Sequence, residues 1–199
     1  ITQFKQCKIF TELNVFIKES DILILGFKPQ DLSDIAAHID KASFKGKCIV
    51  SLLAGTPLSK LEKSFGSSSR IIRTMPNLGA MVSSGATALC KNRKATLRDL
   101  ADVELLFSSS GITVTVPENK MDVVTAISGS GPAYFFYLTE LLIAAGLRHG
   151  LKRSDVSKLA CATSLGAAPL QNHFSFTPEE WRSKVTSPGG TTEAAFKRL

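Results

Sequence analysis

Up to about residue 118, the chain alternates short apolar runs with segments of helical periodicity. The continuous apolar runs at 22–27 and 48–53 predict strands that are covered on both faces of a parallel sheet. Further strands are predicted at 71–75, 86–90 and 112–116, and helices after Asp31 or Ser33, after Pro57 and at 97–107. Strands that alternate with helices indicate an open, doubly wound α/β sheet.

Beyond residue 118 the pattern predicts helices only, at 132–147, 154–171 and 178–185. The first two segments are rich in small residues, and apolar positions occur on nearly every side of them, so we expect both helices to be buried. Because the remaining chain is too short to surround them, a second subunit is expected to cover them. The pattern therefore predicts an α/β domain at 1–119 and an all-helical domain at 120–199.

Composition narrows the classes of protein that fit this pattern. The 199 residues are 44% hydrophobic and 21% charged, which excludes disordered, collagen-like and coiled-coil proteins. The net charge of +7 fits either solubility or a polyanionic partner such as a nucleotide. Since the basic residues are scattered singly, no nucleic-acid partner is expected.

The cysteines and the apolar stretches bear on the compartment. Cys7, Cys48, Cys90 and Cys161 lie far apart, so they suggest neither a metal site nor a disulfide framework and fit a reducing compartment. The most apolar stretch is too short to cross a bilayer comfortably, so no membrane partner is expected.

The segments that follow the first three predicted strands are candidates for a binding site. Ligands of open α/β sheets bind at the carboxyl ends of the strands. The residues at these positions are Lys28-Pro29, Ala54-Gly55 and Pro76-Asn77. A lysine at a strand end suits an anionic ligand, although most lysines are solvated surface groups.

Two glycine-rich segments occur in the second half of the chain. The segment 128–132 fits no phosphate loop and no nucleophile elbow, which favours a plain helix entry with Ser130 near the cap and Pro132 in the first turn. The segment 187–192 (Ser-Pro-Gly-Gly-Thr-Thr) precedes a helix start, whose unpaired N–H groups suit a small carboxylate or phosphate. A simple capped turn would have a similar sequence.

Taken in order, six motifs closely resemble the pyrroline-5-carboxylate reductase family. They are DILILGFKPQ at 21–30, VSLLAG at 50–55, RTMPN at 73–77, LFSSSG at 106–111, SGSGPAY at 128–134 and SPGGTT at 187–192. The resemblance implies an NAD(P)-binding, Rossmann-like doubly wound parallel sheet over 1–119 and an all-helical dimerisation and substrate-binding domain over 120–199. It also implies that the first strand, the phosphate loop and the second strand precede Ile1, and that further helix follows Leu199.

The family resemblance implies an NAD(P)H-dependent oxidoreductase. It would reduce the cyclic imine 1-pyrroline-5-carboxylate to L-proline, the last step of proline biosynthesis, with NADPH preferred and NADH as the alternative. A related Rossmann-fold reductase with another imine or keto-acid substrate, and a non-catalytic truncated form, stay open as alternatives. The resemblance further implies a cytoplasmic or mitochondrial homodimer, with a ring of dimers as a higher level of assembly.

The resemblance also assigns individual residues. To the cofactor it assigns Asn14, Gly26, Phe27, Lys28, Pro29, Ala54, Gly55, Met75, Pro76 and Asn77. To the substrate it assigns Val185, Ser187, Gly189, Gly190, Thr191 and Thr192. Thr192 is the predicted catalytic residue, through a hydrogen bond to the ring nitrogen of the substrate.

Some positions depart from the family pattern. Family members usually carry Ala-Val-Lys-Pro where this chain has Gly26-Phe27-Lys28-Pro29, and Asn-Thr-Pro where it has Asn77-Leu78-Gly79. An asparagine common in the family would fall at Leu13, so the assignment of Asn14 rests on its being the nearest asparagine.

Overall fold

The computed structural model describes residues 7–198 of the chain. The chain divides into two compact units, Ile1–Pro132 and Ala133–Leu199. The domain limits 1–119 and 120–199 stay a prediction.

The first unit contains a five-stranded sheet and short helices. The strands are β1 (Ile22–Leu25), β2 (Cys48–Ser51), β3 (Arg70–Met75), β4 (Gly85–Lys91) and β5 (Gly111–Thr115). The helices are α1 (Leu13–Glu19), α2 (Leu32–Ala37), α3 (Leu58–Phe65), α4 (Leu97–Ser108) and α5 (Met121–Val124). Every predicted strand forms, within one or two residues of its predicted limits, whereas the pattern did not predict α1.

The strands lie side by side in chain order. β1, β2 and β3 are parallel, as predicted, and β5 is parallel to β4. The sheet departs from the expected parallel arrangement at one pair, because β4 runs antiparallel to β3. The connection between them holds only a 3-10 turn at Leu78–Val82. A parallel crossover needs about a dozen residues or more, so this connection is too short to return the chain to the starting edge.

Helices cover both faces of the sheet. Leu61 and Phe65 of α3 pack with Ile71 on one face, in a core that also includes residues of α1 and α2. On the other face, Leu100 and Val103 of α4 belong to a separate core with buried residues of β2, β3 and β4. Right-handed crossovers that advance in one direction must change face when the strand direction reverses. The antiparallel β4 therefore accounts for the doubly wound arrangement.

The second unit is helical, as predicted. Its helices are α6 (Gly131–Arg148, which begins just before the unit boundary), α7 (Arg153–His173), α8 (Pro178–Lys184) and α9 (Thr191–Phe196). Thr177 and Glu180 form a capping box that starts α8, with Thr177 N–H donating to Glu180 Oε2 at 2.7 Å. Trp181 packs edge-on against Phe174 and Phe176, with ring centroids 5.5 and 5.2 Å away.

The long helix α6 exposes a large apolar surface in the single chain. Tyr134, Phe135 and Phe136 are 59%, 66% and 61% exposed. Exposed apolar surface of this extent marks an interaction site in soluble proteins. None of the helices within residues 7–198 combines the length and the apolar character that a membrane span requires.

Candidate active site

The carboxyl ends of β1, β2 and β3 meet at one edge of the sheet, because these strands are parallel neighbours. The chain leaves these ends through segments 26–29, 52–57 and 76–77. The structure therefore brings most of the predicted cofactor residues together along one edge of the first unit. We call this the strand-end edge.

The segment after β1 leaves open space at this edge. A Cβ atom added at Gly26 would have no other heavy atom within 4 Å. Phe27 turns inward and packs against the core, whereas Lys28 is exposed at the start of a 3-10 turn formed by Pro29–Asp31. Among residues 7–198, Lys28 takes part in none of the ion pairs. Its ammonium group is thus available to an anionic ligand.

The segment after β2 presents backbone to the same edge. Ala54 and Gly55 are exposed, and Thr56 is buried behind them. Gly55 has φ +66°, a left-handed conformation that residues with a Cβ rarely adopt. The glycine is therefore needed for this turn, and it leaves no side chain in the way of a ligand.

Asn77, after β3, differs from the other predicted cofactor residues because its carboxamide is bonded to protein at both ends. Its Oδ1 accepts hydrogen bonds from the N–H groups of Gly79 (3.1 Å) and Ala86 (3.2 Å). Its Nδ2 donates to the carbonyl (3.1 Å) and the hydroxyl (3.4 Å) of Ser128. Met75 and Pro76, just before it, are half-buried.

Asn14 lies exposed in the first turn of α1. Its neighbour Leu13 and the strand-end residue Phe27 line the same apolar cavity, of about 230 Å³. The first turn of α1 is therefore on the side of segment 26–29.

A charged cluster around the buried Arg73 supports the strand-end edge. Arg73 of β3 is only 5% exposed, and its guanidinium lies 3.5 Å from Glu118 Oε1 and 3.6 Å from Asp122 Oδ1. The same Glu118 oxygen accepts the N–H of Leu58, the first residue of α3, at 2.5 Å. Glu118 therefore holds the helix start that immediately follows the Ala54-Gly55 turn. This cluster was not predicted from the sequence, although an arginine inside a predicted buried strand is a signal for a charged partner.

The two buried cysteines are not candidate nucleophiles. Burial, with a smaller contribution from nearby Glu118, raises the pKa of the Cys90 thiol to about 11. Burial also raises the pKa of Cys48 to about 11. Both thiols are protonated at neutral pH, and only a thiolate is strongly nucleophilic. Within residues 7–198, no group of three or more His, Cys, Asp or Glu side chains could hold a metal ion.

The predicted substrate residues lie together in the second unit, in the loop from Val185 to Gly190 and the first turn of α9. Val185 is 64% exposed at the end of α8. Gly189 has φ +70° and donates its N–H to Glu193 Oε2 at 2.6 Å, while Gly190 N–H donates to the Ser187 carbonyl at 3.0 Å. We call residues 185–192 the glycine loop. Glu193, which follows the motif directly, was not predicted as a site residue.

The start of α9 leaves polar groups available. Thr191 and Thr192 are its first two residues, and a helix provides no internal acceptor for N–H groups at these positions. Thr192 is half-buried, and its hydroxyl makes no hydrogen bond to the part of the chain that the structure describes. Such N–H groups and a free hydroxyl can bind a carboxylate and a neighbouring polar atom.

Comparisons with known proteins identify the family of this chain. Residues 118–199 match a family described as pyrroline-5-carboxylate reductase dimerisation, and residues 3–55 match one described as NADP oxidoreductase coenzyme F420-dependent. The pyrroline-5-carboxylate reductase of Methanosarcina acetivorans is 39% identical over 185 residues, which cover 93% of this chain and 68% of that protein. The chain belongs to the pyrroline-5-carboxylate reductase family.

Other members support the assignment. The enzyme of the same name from Synechocystis is 42% identical over 90% of this chain and 67% of its own length. The structure of Plasmodium falciparum pyrroline carboxylate reductase, with NADP bound, has a TM-score of 0.86 at 31% identity and covers 94% of this chain and 71% of that one. The Coxiella burnetii reductase has a TM-score of 0.86 at 32% identity, over 96% and 71% of the two chains. The family and the fold class predicted from the sequence are confirmed.

Proposed function

We propose that this chain reduces 1-pyrroline-5-carboxylate to L-proline with NADPH, as the last step of proline biosynthesis. The observation that carries the proposal is the 39% identity to a pyrroline-5-carboxylate reductase across 93% of the chain. The product differs from the imine by one hydride on carbon and one proton on nitrogen, so the protein must bind the two reactants together and provide for the proton.

The strand-end edge fits part of a dinucleotide. Lys28 offers a cation for a phosphate, and the open space at Gly26 and the exposed Ala54-Gly55 turn let a ligand approach the backbone closely. When bound, the nicotinamide supplies the hydride. Phe27 and Pro29 would shape the wall beside the ribose, and Met75 and Pro76 would flank the nicotinamide. Asn14 stays a candidate contact, and NADH stays the alternative cofactor.

The glycine loop would hold the substrate. Because Glu193 occupies the Gly189 N–H, the N–H groups of Thr191 and Thr192 are the donors left for the substrate carboxylate. The Thr192 hydroxyl would then hydrogen-bond the ring nitrogen, where the proton is taken up. Val185, Ser187 and Gly190 would complete the wall of the site.

We further propose a homodimer, in which a second copy covers the exposed apolar residues of α6. The family description of residues 118–199 names dimerisation, which supports this assembly. Association of dimers into a ring stays a prediction, which sedimentation of the purified protein tests. The cytoplasm, with the mitochondrion as the alternative, stays the predicted compartment.

Consumption of NADPH by the full-length protein, followed by its absorbance as 1-pyrroline-5-carboxylate is added, tests the proposed activity. Thr192→Val keeps the shape of the side chain and removes the hydroxyl, so kcat should fall about 10- to 100-fold, the range for one lost transition-state hydrogen bond. Thr192→Ser keeps the hydroxyl and should retain most of the activity.

Three outcomes would contradict the proposal or a part of it. Faster reduction of a different imine or keto acid in a substrate panel would favour the related-reductase alternative. Absence of both turnover and NADPH binding by the full-length protein would favour the non-catalytic one. Equal kcat values for the wild type and Thr192→Val would show that the Thr192 hydroxyl does not take part in the reaction.

A further inference from the structure

Residues Thr125–Gly129 form a single π-helical turn directly before α6. The Ser130 N–H closes this turn by donating to the Thr125 carbonyl at 2.8 Å. π-turns are rare and have poorer geometry than α-helix, and they occur frequently at functional sites.

Two contacts connect the π-turn to the end of β3. The Nδ2 group of Asn77 donates to the Ser128 carbonyl, 51 positions along the chain, at 3.1 Å. The next residue of the turn, Gly129, lies against Met75, where an added Cβ would come within 2.5 Å of the Met75 Cε atom. A side chain at 129 would therefore displace Met75. Because Cε is the far end of a flexible side chain, the position of the Met75 side chain depends on how the π-turn lies against it.

The Asn77 carboxamide has no unused hydrogen-bonding group to offer a ligand. Two N–H groups donate to it, and its own amide hydrogens are directed to the carbonyl and hydroxyl of Ser128. A direct contact with a cofactor would have to replace one of these bonds, and each replacement would leave a partly buried polar group unpaired. These four bonds favour a role of Asn77 within the protein over a direct contact with the cofactor.

We propose that Asn77 is a positioning residue, which holds the π-turn of residues 125–129 against Met75 and thereby sets the wall at the nicotinamide end of the strand-end edge. The proposal rests on the proposed reductase function, since it concerns the place where the nicotinamide would lie. It assigns to Asn77 an effect on the alignment of the reactants, and only a small effect on the affinity for the cofactor.

Asn77→Asp keeps the accepting oxygen of this side chain and removes its donating NH₂ group. The carboxylate can still accept from the N–H groups of Gly79 and Ala86, but it cannot donate to Ser128 and repels the Ser128 carbonyl. Misalignment by about 1 Å can cost about 100-fold in rate, so we expect kcat to fall 10- to 100-fold. The Kd for NADPH, measured by fluorescence, should change less than about 3-fold, the equivalent of under 1 kcal/mol.

The matched control is Ser84→Ala, in the same connection between β3 and β4. Among the residues that the structure describes, the Ser84 hydroxyl bonds only to the exposed Val82 carbonyl, and this variant should behave as the wild type. Hydrogen exchange of the cofactor-free protein gives a readout that does not depend on activity. The amide of Ser130 should exchange faster in Asn77→Asp and at the wild-type rate in Ser84→Ala.

Gly129→Ala tests the same wall if Asn77→Asp does not fold. It leaves the Asn77 bonds available and displaces Met75 from the other side, so it should also lower kcat with little change in the NADPH Kd. The proposal would be overturned if kcat were unchanged in folded Asn77→Asp and Gly129→Ala, or if Ser130 exchange were unchanged in Asn77→Asp. A rise in the NADPH Kd that accounts for the whole loss of kcat/KM would overturn it as well. Lack of turnover by the wild type would contradict the proposed function alone, because the exchange comparison still tests Asn77.

Discussion

The strand-end edge and the glycine loop are held in place by contacts of very different range. At the strand-end edge, Glu118 accepts the N–H of Leu58 and Asn77 donates to Ser128, residues 60 and 51 positions apart. In the glycine loop, Gly189 bonds to Glu193 and Gly190 bonds to Ser187, all within four positions. The first region therefore depends on the packed sheet, whereas the second is organised by its own sequence.

The difference predicts how each region responds to mutation. Long-range contacts between partly buried groups connect the site to the stability of the whole unit, so damage there should lower the free energy of unfolding. Local contacts at an exposed loop contribute little to stability, so damage there should appear in substrate binding. The following variants test this contrast.

Glu118→Ala should have the largest effect on stability. It leaves Arg73 buried with only the exposed Asp122 and leaves the Leu58 N–H without its acceptor. Because Glu118 is itself partly exposed, we expect a loss of about 2–3 kcal/mol, below the full cost of breaking a buried ion pair. Urea unfolding measures this loss in the free energy of unfolding. Glu118→Gln keeps the acceptor for Leu58 and should lose about half as much stability. Equal free energies of unfolding for the wild type and both variants would show that the cluster does not stabilise the fold.

Asp99→Asn should have an intermediate effect that depends on pH. Asp99, in the first turn of α4, forms a capping box with the N-cap residue Thr96 and accepts from Arg70 Nη1 at 2.6 Å. Burial alone would raise the pKa of this carboxyl, but the Thr96 hydrogen bonds and the Arg70 charge hold it below its ordinary value. We expect a loss of about 1–2 kcal/mol at pH 7.

The pH dependence of Asp99 has a definite sign. A lowered pKa contributes stability above the unfolded value of about 3.9, and that contribution disappears as the pH falls through the folded value. The difference between wild type and Asp99→Asn in urea unfolding should therefore shrink from pH 7 towards pH 3. A difference that grows on acidification would show that the carboxyl is not stabilised in its charged form.

Glu193→Ala should change stability least, by less than about 0.5 kcal/mol, because its ion pair with Lys197 is mostly exposed. Loss of the carboxylate frees the Gly189 N–H and loosens the loop, so KM for 1-pyrroline-5-carboxylate should rise about 3- to 10-fold. Glu193→Gln retains an acceptor and serves as the control. A large loss of stability with unchanged KM would contradict the contrast between the two regions.

The strands and most helices could be predicted because their signals are local. The apolar run at 48–53 and Pro57 ahead of α3 are visible in the sequence. The helix α1 was missed, since its seven residues bury only Ile17 and so carry a weak periodic signal. The antiparallel turn before β4 was missed as well, because strand direction depends on where the chain goes next and not on the strand's own residues.

The candidate site also has one part with local sequence signals and another that depends on distant parts of the chain. The sequence by itself determined the glycine loop, since the φ of Gly189 and the bonds of residues 187–193 involve near neighbours. It also indicated which strands end in open, glycine-containing segments. Only the tertiary structure decided that Glu118 meets Arg73 and that Asn77 bonds to Ser128. These contacts join residues far apart in the chain, and their partners depend on how strands and helices pack, which no local pattern of side chains specifies.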